Sequence, residues 1–268
     1  MRELERQSDD TRPRLEAPSL LTRIGVVGRG RLGTALASAL DAAGYEVAGP
    51  AGRGDVPAGE AIVLCVPDRE IAAAARAVAG AAALVGHTSG ATPLSALAPA
   101  ARAGAEVFGL HPLLAVSERG SGFAGAACAV GGSTPRALSV ATAIARRLGM
   151  APFALADERR AAYHAAASVA SNFLVTLEAA AETLMGEAGV EAPRARELLA
   201  PLARASLEAW ATLGPRRALT GPLARGDEAT VALQREAVAA AAPELLPLFE
   251  AMVERTRALA ARRAEAPA

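Results

Sequence analysis

The chain has 268 residues, 52% of them hydrophobic, enough to bury one large core or two smaller ones. Its 28 basic and 28 acidic residues balance, which excludes the strongly basic footprint of a nucleic-acid-binding domain. Every basic residue is arginine, which together with abundant alanine reads as genomic bias, so the missing lysine is weak chemical evidence.

The first twenty residues are charged, contain Pro13 and Pro18, and lack the apolar segment of a signal peptide. They read as a disordered tail. From Thr22 strands and helices alternate. Strands are expected at Ile24 to Val27, Tyr45 to Ala48, Ala61 to Val66, Ala82 to Gly86, Ala105 to Leu110 and Ala126 to Val130. Helices are expected at Leu32 to Ala43, Glu70 to Ala79 and Leu94 to Ala103, and Pro135 opens another that runs to Leu148. Such alternation predicts a parallel sheet covered on both faces.

After about Phe153 the pattern changes. Asp157 to Gly186, Ala192 to Leu213, Asp227 to Ala241 and Pro243 to Arg262 read as helices, punctuated by Gly189, Gly214, Pro215 and Gly221-Pro222. The expected organisation is a tail over 1–20, an α/β domain over 21–152 and an all-α domain over 153–268. Cys65 and Cys128 sit in apolar runs and read as buried core residues of a reducing compartment, not as a disulfide or metal site. No apolar stretch approaches a bilayer span, so a soluble cytoplasmic protein without membrane contact is the expectation.

The most informative motif is Gly28-Arg29-Gly30-Arg31-Leu32-Gly33, directly after the first strand and at the start of the first helix. Gly28 permits a tight turn, Gly30 lets backbone approach a pyrophosphate, and Gly33 lets helix and strand pack closely. Free N–H groups at the helix start then face the phosphates. The first domain is therefore read as a Rossmann dinucleotide-binding domain. At the end of the second strand, where NAD-preferring sites carry an acid, the sequence runs Ala48-Gly49-Pro50-Ala51-Gly52-Arg53, with no carboxylate before Asp55. Arg53 can pair with a 2′-phosphate, and Arg29 and Arg31 add positive charge, so NADP is the expected cofactor, with NAD as the alternative. Arg53 can equally be a solvated loop charge.

Polar residues also cluster after later strands: Val66-Pro67-Asp68, His87-Thr88-Ser89-Gly90 and Leu110-His111-Pro112-Leu113. Ligands on open parallel sheets bind outside the carboxyl ends of strands, so Val66, Pro67, Ser89 and Gly90 are assigned to the nicotinamide side. His111 can exchange a proton with a carbonyl or hydroxyl. Asp68 and Ser89 can instead hold loops, and His87 reads as structural. In the helical half, the first helix carries Tyr163 and His164, and His164, Ser168, Ser171 and Asn172 fall within roughly a 100° arc on it at α-helical spacing. That stripe is either a substrate-facing wall or a set of interhelical hydrogen bonds. Ala218 to Asp227 reads as a rigid loop, with Asp227 capping the next helix. Its Arg225 can bind a substrate carboxylate or pair with Asp227.

Taken together, His87-Thr88-Ser89-Gly90, His111-Pro112-Leu113, Tyr163 to Ala167, Ala170-Ser171-Asn172 and Ala218 to Asp227 resemble a family whose members have a Rossmann-like N-terminal domain and a helical C-terminal domain without assigned function. That family is related to deazaflavin-dependent NADP oxidoreductases, ketopantoate reductases and pyrroline-5-carboxylate reductases, and the resemblance runs from about Leu21 to Ala241. It implies an NADP-dependent oxidoreductase acting on a small keto acid or imine, ketopantoate being the leading substrate, and a homodimer. His111 or His164 would be the acid, with Asn172 and Arg225 positioning substrate. The lysine that ordinary ketopantoate reductases place one helical turn before their asparagine is Ser168 here. The alternatives are a non-catalytic NADP-binding sensor or assembly protein, and a helical interaction protein that binds no nucleotide.

Overall fold

The computed structural model of the protein describes residues 21–115 and 122–264. The tail expected over 1–20 lies outside the described residues. The chain divides into two compact units, the first ending at Ser168 and the second beginning at Val169.

Among the described residues, the first unit contains seven strands: β1 (Arg23–Val27), β2 (Glu46–Ala51), β3 (Ala61–Leu64), β4 (Leu84–His87), β5 (Glu106–Leu113), β6 (Ala127–Gly132) and β7 (Ala151–Ala154). They form one sheet in the order β2-β1-β3-β4-β5-β6-β7. Helices α1 (Arg31–Ala42), α2 (Ile71–Ala77), α3 (Ala98–Arg102), α4 (Pro135–Arg147) and α5 (Arg160–Ser168) complete the unit. Neighbouring residues on the strands go to opposite faces, as the pleat requires. Ile24, Val26, Val63 and Phe108 join Leu36 and Leu40 of α1 and Val140 and Ile144 of α4 in one core. Val27, Ile62, Leu64, Val85 and Val107 join Ile71 of α2 and Leu97 and Ala100 near α3 in a second. Burial of the sheet on both faces explains why these strands read as continuous apolar runs.

The sheet is mixed, which corrects the expectation of a parallel one. Strands β2, β1, β3, β4 and β5 are parallel, but β6 runs antiparallel to β5, and β7 pairs parallel with β6. A parallel return needs a crossover, usually helical; no helix lies between β5 and β6 among the described residues. The strand at Ala151–Ala154 was not anticipated. It is short, contains Pro152 and forms the sheet edge, where proline is tolerated.

The second unit is helical: α6 (Leu174–Glu187), α7 (Ala192–Leu213), α8 (Pro215–Ala218), α9 (Pro222–Arg225), α10 (Glu228–Ala241) and α11 (Leu246–Ala264). Residues 218–227, expected as loop, end α8 and contain the single turn α9. Asp227 does cap α10, accepting the Thr230 N–H at 3.1 Å. Before α6 the backbone widens into a π turn over Val169–Phe173. That turn departs from α-helical spacing, so the arc drawn through His164, Ser168, Ser171 and Asn172 does not continue past Ser168.

Candidate active site

Strand order reverses at β1, which lies between β2 and β3. Adjacent loops diverge there, and the glycine motif occupies that place. Gly28 has φ +115°, and a Cβ on it would overlap the Cys65 carbonyl. A Cβ on Gly33 would overlap the carbonyl of Gly28. These two glycines are forced by packing. Gly30 is different: a Cβ there would meet nothing within 4 Å. It occupies the N-cap position of α1, without a side-chain cap and without an acidic residue in the first turn. The helix therefore presents its first N–H groups and the positive end of its dipole to open space.

Beside this turn lies a cavity of about 450 Å³, lined among others by Gly28, Arg29, Arg53, Asp55, Pro67 and Glu70. Arg29 donates from Nε to the Pro50 carbonyl at 3.3 Å and meets Asp55 at 3.4 Å. Asp55 in turn accepts the Gly52 N–H at 3.2 Å. Arg53, highly exposed, meets Glu70 at 3.4 Å. Exposed pairs of this length hold weakly, so both guanidiniums can turn to an incoming anion. Arg31 is exposed at the first position of α1, while Leu32 packs partly against the core. Val66 and Pro67 line the same cavity.

At the ends of β4 and β5 the character changes to buried side chains. His87 is fully buried; its Nδ1 accepts the Ser89 N–H at 3.2 Å. Burial, then the Arg160 charge, hold its imidazolium pKa down to about 4. Ser89 Oγ accepts the N–H groups of Ala91 and Thr92 at 3.2 and 2.9 Å, so its side chain shapes the turn. Gly90 is buried, and a Cβ on it would stand 2.8 Å from both His111 Nε2 and His164 Cδ2. His111 Nδ1 lies 2.7 Å from the Tyr163 hydroxyl, with the rings edge to face. The His111 and His164 ring centroids are 6.1 Å apart. Burial, then His164 and Arg160, lower the His111 pKa to about 4, and burial raises Tyr163 to about 12. Tyr163 thus keeps its proton; where it donates to Nδ1, the proton of neutral His111 sits on Nε2, toward Gly90 and His164.

Ser89, Gly90, His111 and His164 therefore come together within the first unit, joined by Tyr163, which has no site role in the sequence reading, and by Asp157 and Arg160, which that reading does not single out. Asn172 and Arg225 belong to the second unit, both exposed, the former in the π turn and the latter ending α9. Arg225 lies close enough to Asp227 to lower its carboxyl pKa, behind the larger effect of Thr230. No cluster of metal-binding side chains occurs among the described residues. Nor does any described helix have the length and apolarity to cross a membrane.

The fold is a Rossmann-like sheet followed by a helical region. A family model described as a domain of unknown function (DUF2520) matches residues 126–256. Among solved structures, a candidate NADP oxidoreductase from Bacteroides fragilis superposes with a TM-score of 0.74 at 21% identity, over 88% of this chain and 98% of that one. A Thermotoga maritima protein gives 0.72 at 21% identity, over 90% and 99%. An imine reductase from Streptomyces aurantiacus gives 0.60 at 17% identity, over 90% and 98%. No curated protein matches the sequence.

Proposed function

We propose that the protein is an NADP-dependent oxidoreductase that transfers a hydride between NADPH and a small keto acid or imine. The observation that carries this reading is the bare start of α1 at Gly30: open space, no cap and no acid, at the switch point of the sheet. The residues present fit a dinucleotide. Gly28, Gly30 and Gly33, with the backbone of Arg29, Arg31 and Leu32, would hold the pyrophosphate. Arg53 and Arg29, across the cavity, would take the 2′-phosphate in preference to an NAD ribose. Val66, Pro67, Ser89 and Gly90 would border the nicotinamide, which supplies the hydride when bound. Similarity of fold to a candidate NADP oxidoreductase and to an imine reductase supports the same class.

The chain's own residues then handle charge and protons. With Tyr163 donating to Nδ1, neutral His111 would present Nε2–H as a donor to the oxygen or nitrogen on which negative charge develops. Since His111 resists becoming imidazolium, the proton-donating role falls to His164. The lack of lysine in the chain makes a histidine donor necessary if the chemistry resembles that of ketopantoate reductases. Asn172 and Arg225 keep the substrate-positioning role that the sequence resemblance gives them. Exposed Val175, Leu202, Trp210 and Leu233 of the helical unit support a homodimer.

The test is direct. NADPH fluorescence should change on titration with the protein, and NADPH should bind more tightly than NADH. Ketopantoate comes first in a screen of keto acids and cyclic imines for NADPH oxidation. Absence of binding overturns the whole reading. Binding without turnover of any compound in the screen would favour the sensor alternative.

A further inference from the structure

Two glycines distant in sequence face each other in the sheet. Gly109 of β5 and Gly131 of β6 are direct partners in the antiparallel register. A Cβ on Gly109 would overlap Nη2 of Arg160, and one on Gly131 would stand 3.1 Å from the same atom. Their missing side chains leave a slot, and the guanidinium occupies it with 1% of the residue exposed. A buried charge demands partners. Nε donates to Asp157 Oδ1 at 2.6 Å, and Nη1 donates to the Ser89 carbonyl at 3.3 Å. Asp157 also accepts the Leu94 N–H, at 3.1 Å on one oxygen and 2.9 Å on the other. One side chain thus joins the Ser89–Leu94 turn, the β5–β6 pair and the start of α5. Tyr163 and His164 follow three and four positions later, on the same helical face. Gly90, inside the tethered turn, is the residue against which His111 and His164 pack.

We propose that Arg160 is a positioning residue, docking the histidine-bearing face of α5 and the Ser89–Leu94 turn onto one point of the sheet so that His111, Tyr163 and His164 meet around Gly90. Its catalytic consequence rests on the oxidoreductase reading above; its effect on the histidines does not. The charged groups acting on His87 are Arg160, Asp157 and Asp68. Those acting on His111 are His164, Arg160 and Asp68, with the neutral Tyr163 hydroxyl on Nδ1. Behind the larger effect of burial, Arg160 opposes protonation of both rings, so it bears on their charge as well as their place.

The chain contains three histidines, so isotope-labelled imidazoles give three assignable titrations by NMR. In Arg160→Gln, His87 and His111 should titrate higher by about one unit, as expected for loss of a nearby like charge. The Leu94 amide resonance should shift as Asp157 loses its partner. Arg160→Lys, which keeps the charge but not the fork, should restore the titrations more fully than it restores kcat. On a substrate from the screen, kcat for Arg160→Gln should fall at least tenfold while KM for NADPH stays within twofold. A folded Arg160→Gln protein with both titrations unmoved overturns the proposal. Should that variant not fold, Gly109→Ala displaces the guanidinium by filling the slot. It should raise the same two pKa values by less, and a folded Gly109→Ala with unmoved histidines is equally fatal. Shifted histidines in a protein that never oxidises NADPH would sustain the positioning role and overturn the oxidoreductase reading instead.

Discussion

The turn after β1 and the turn after β4 both depend on glycine, yet they use it in opposite ways. At Gly30 the missing side chain leaves space, so backbone donors are exposed to a ligand. At Gly90 it admits two imidazoles from β5 and α5, so the space is already filled by the protein. The first place is built from main chain, with its charges out in solvent; the second from buried and half-buried side chains, with the Arg160 guanidinium sealed against the glycines of the sheet. A surface that binds phosphate needs donors and little else. A surface that moves a proton needs side chains whose charge the fold controls.

The largest effect should come from closing the first turn. Gly28→Ala forces a positive φ on alanine and drives its Cβ into the Cys65 carbonyl. It should cost about 3 kcal/mol or more of stability and abolish detectable NADPH binding. Thermal unfolding and fluorescence titration check this, and wild-type affinity in a folded variant would refute the assignment of the turn. Next, His164→Ala should lower kcat by roughly a hundredfold or more with NADPH affinity nearly unchanged. Unaltered turnover would remove His164 from proton donation and sharpen the case for His111.

The pH dependence of stability probes the second turn. His87 and His111 have folded pKa values near 4, below the ordinary histidine value of 6.5. Between those limits the unfolded chain binds more protons, so stability should be full above about pH 6.5 and decline as pH falls toward 4. For fully buried His87 that loss amounts to about 3 kcal/mol at roughly 1.4 kcal/mol per pH unit. Denaturant unfolding should show the decline, and His87→Phe should flatten it; an unchanged slope would mean that the ring is not held neutral. The smallest effect is expected at the cavity rim. Arg53→Gln should weaken NADPH by about tenfold to a hundredfold, the range of a charge-assisted contact, and leave NADH unchanged. Equal loss for both would show Arg53 to be a mere surface charge.

The first turn was legible in the sequence because its chemistry is local. Six consecutive residues between a strand and a helix specify it, and the apolar runs around them locate the flanking elements. Much of the second turn was not. His87 to Gly90 and His111 stand out as polar residues after apolar strands, but what joins them depends on pairing. Gly109 and Gly131 become partners only through the antiparallel register of β5 and β6, and period-two patterning says nothing about strand direction. Arg160, three positions after Asp157 at a helix start, has the spacing of an ordinary solvated pair. Nothing in its neighbours marks it as buried. The π turn at Val169–Phe173 was hidden for a related reason, since the composition of one extra residue per turn matches that of the helices around it.

Cys65 sits directly beneath the glycine turn after β1. Its carbonyl blocks any side chain at Gly28, its Cβ would lie 3.2 Å from one at Gly33, and burial holds its thiol near 12. Alkylation of that buried, protonated thiol requires the structure around it to open. The rate of Cys65 modification is consequently a clock for local breathing at the end of β3, readable by mass spectrometry without any catalytic assay, and a ligand seated on the adjoining glycine turn should slow it.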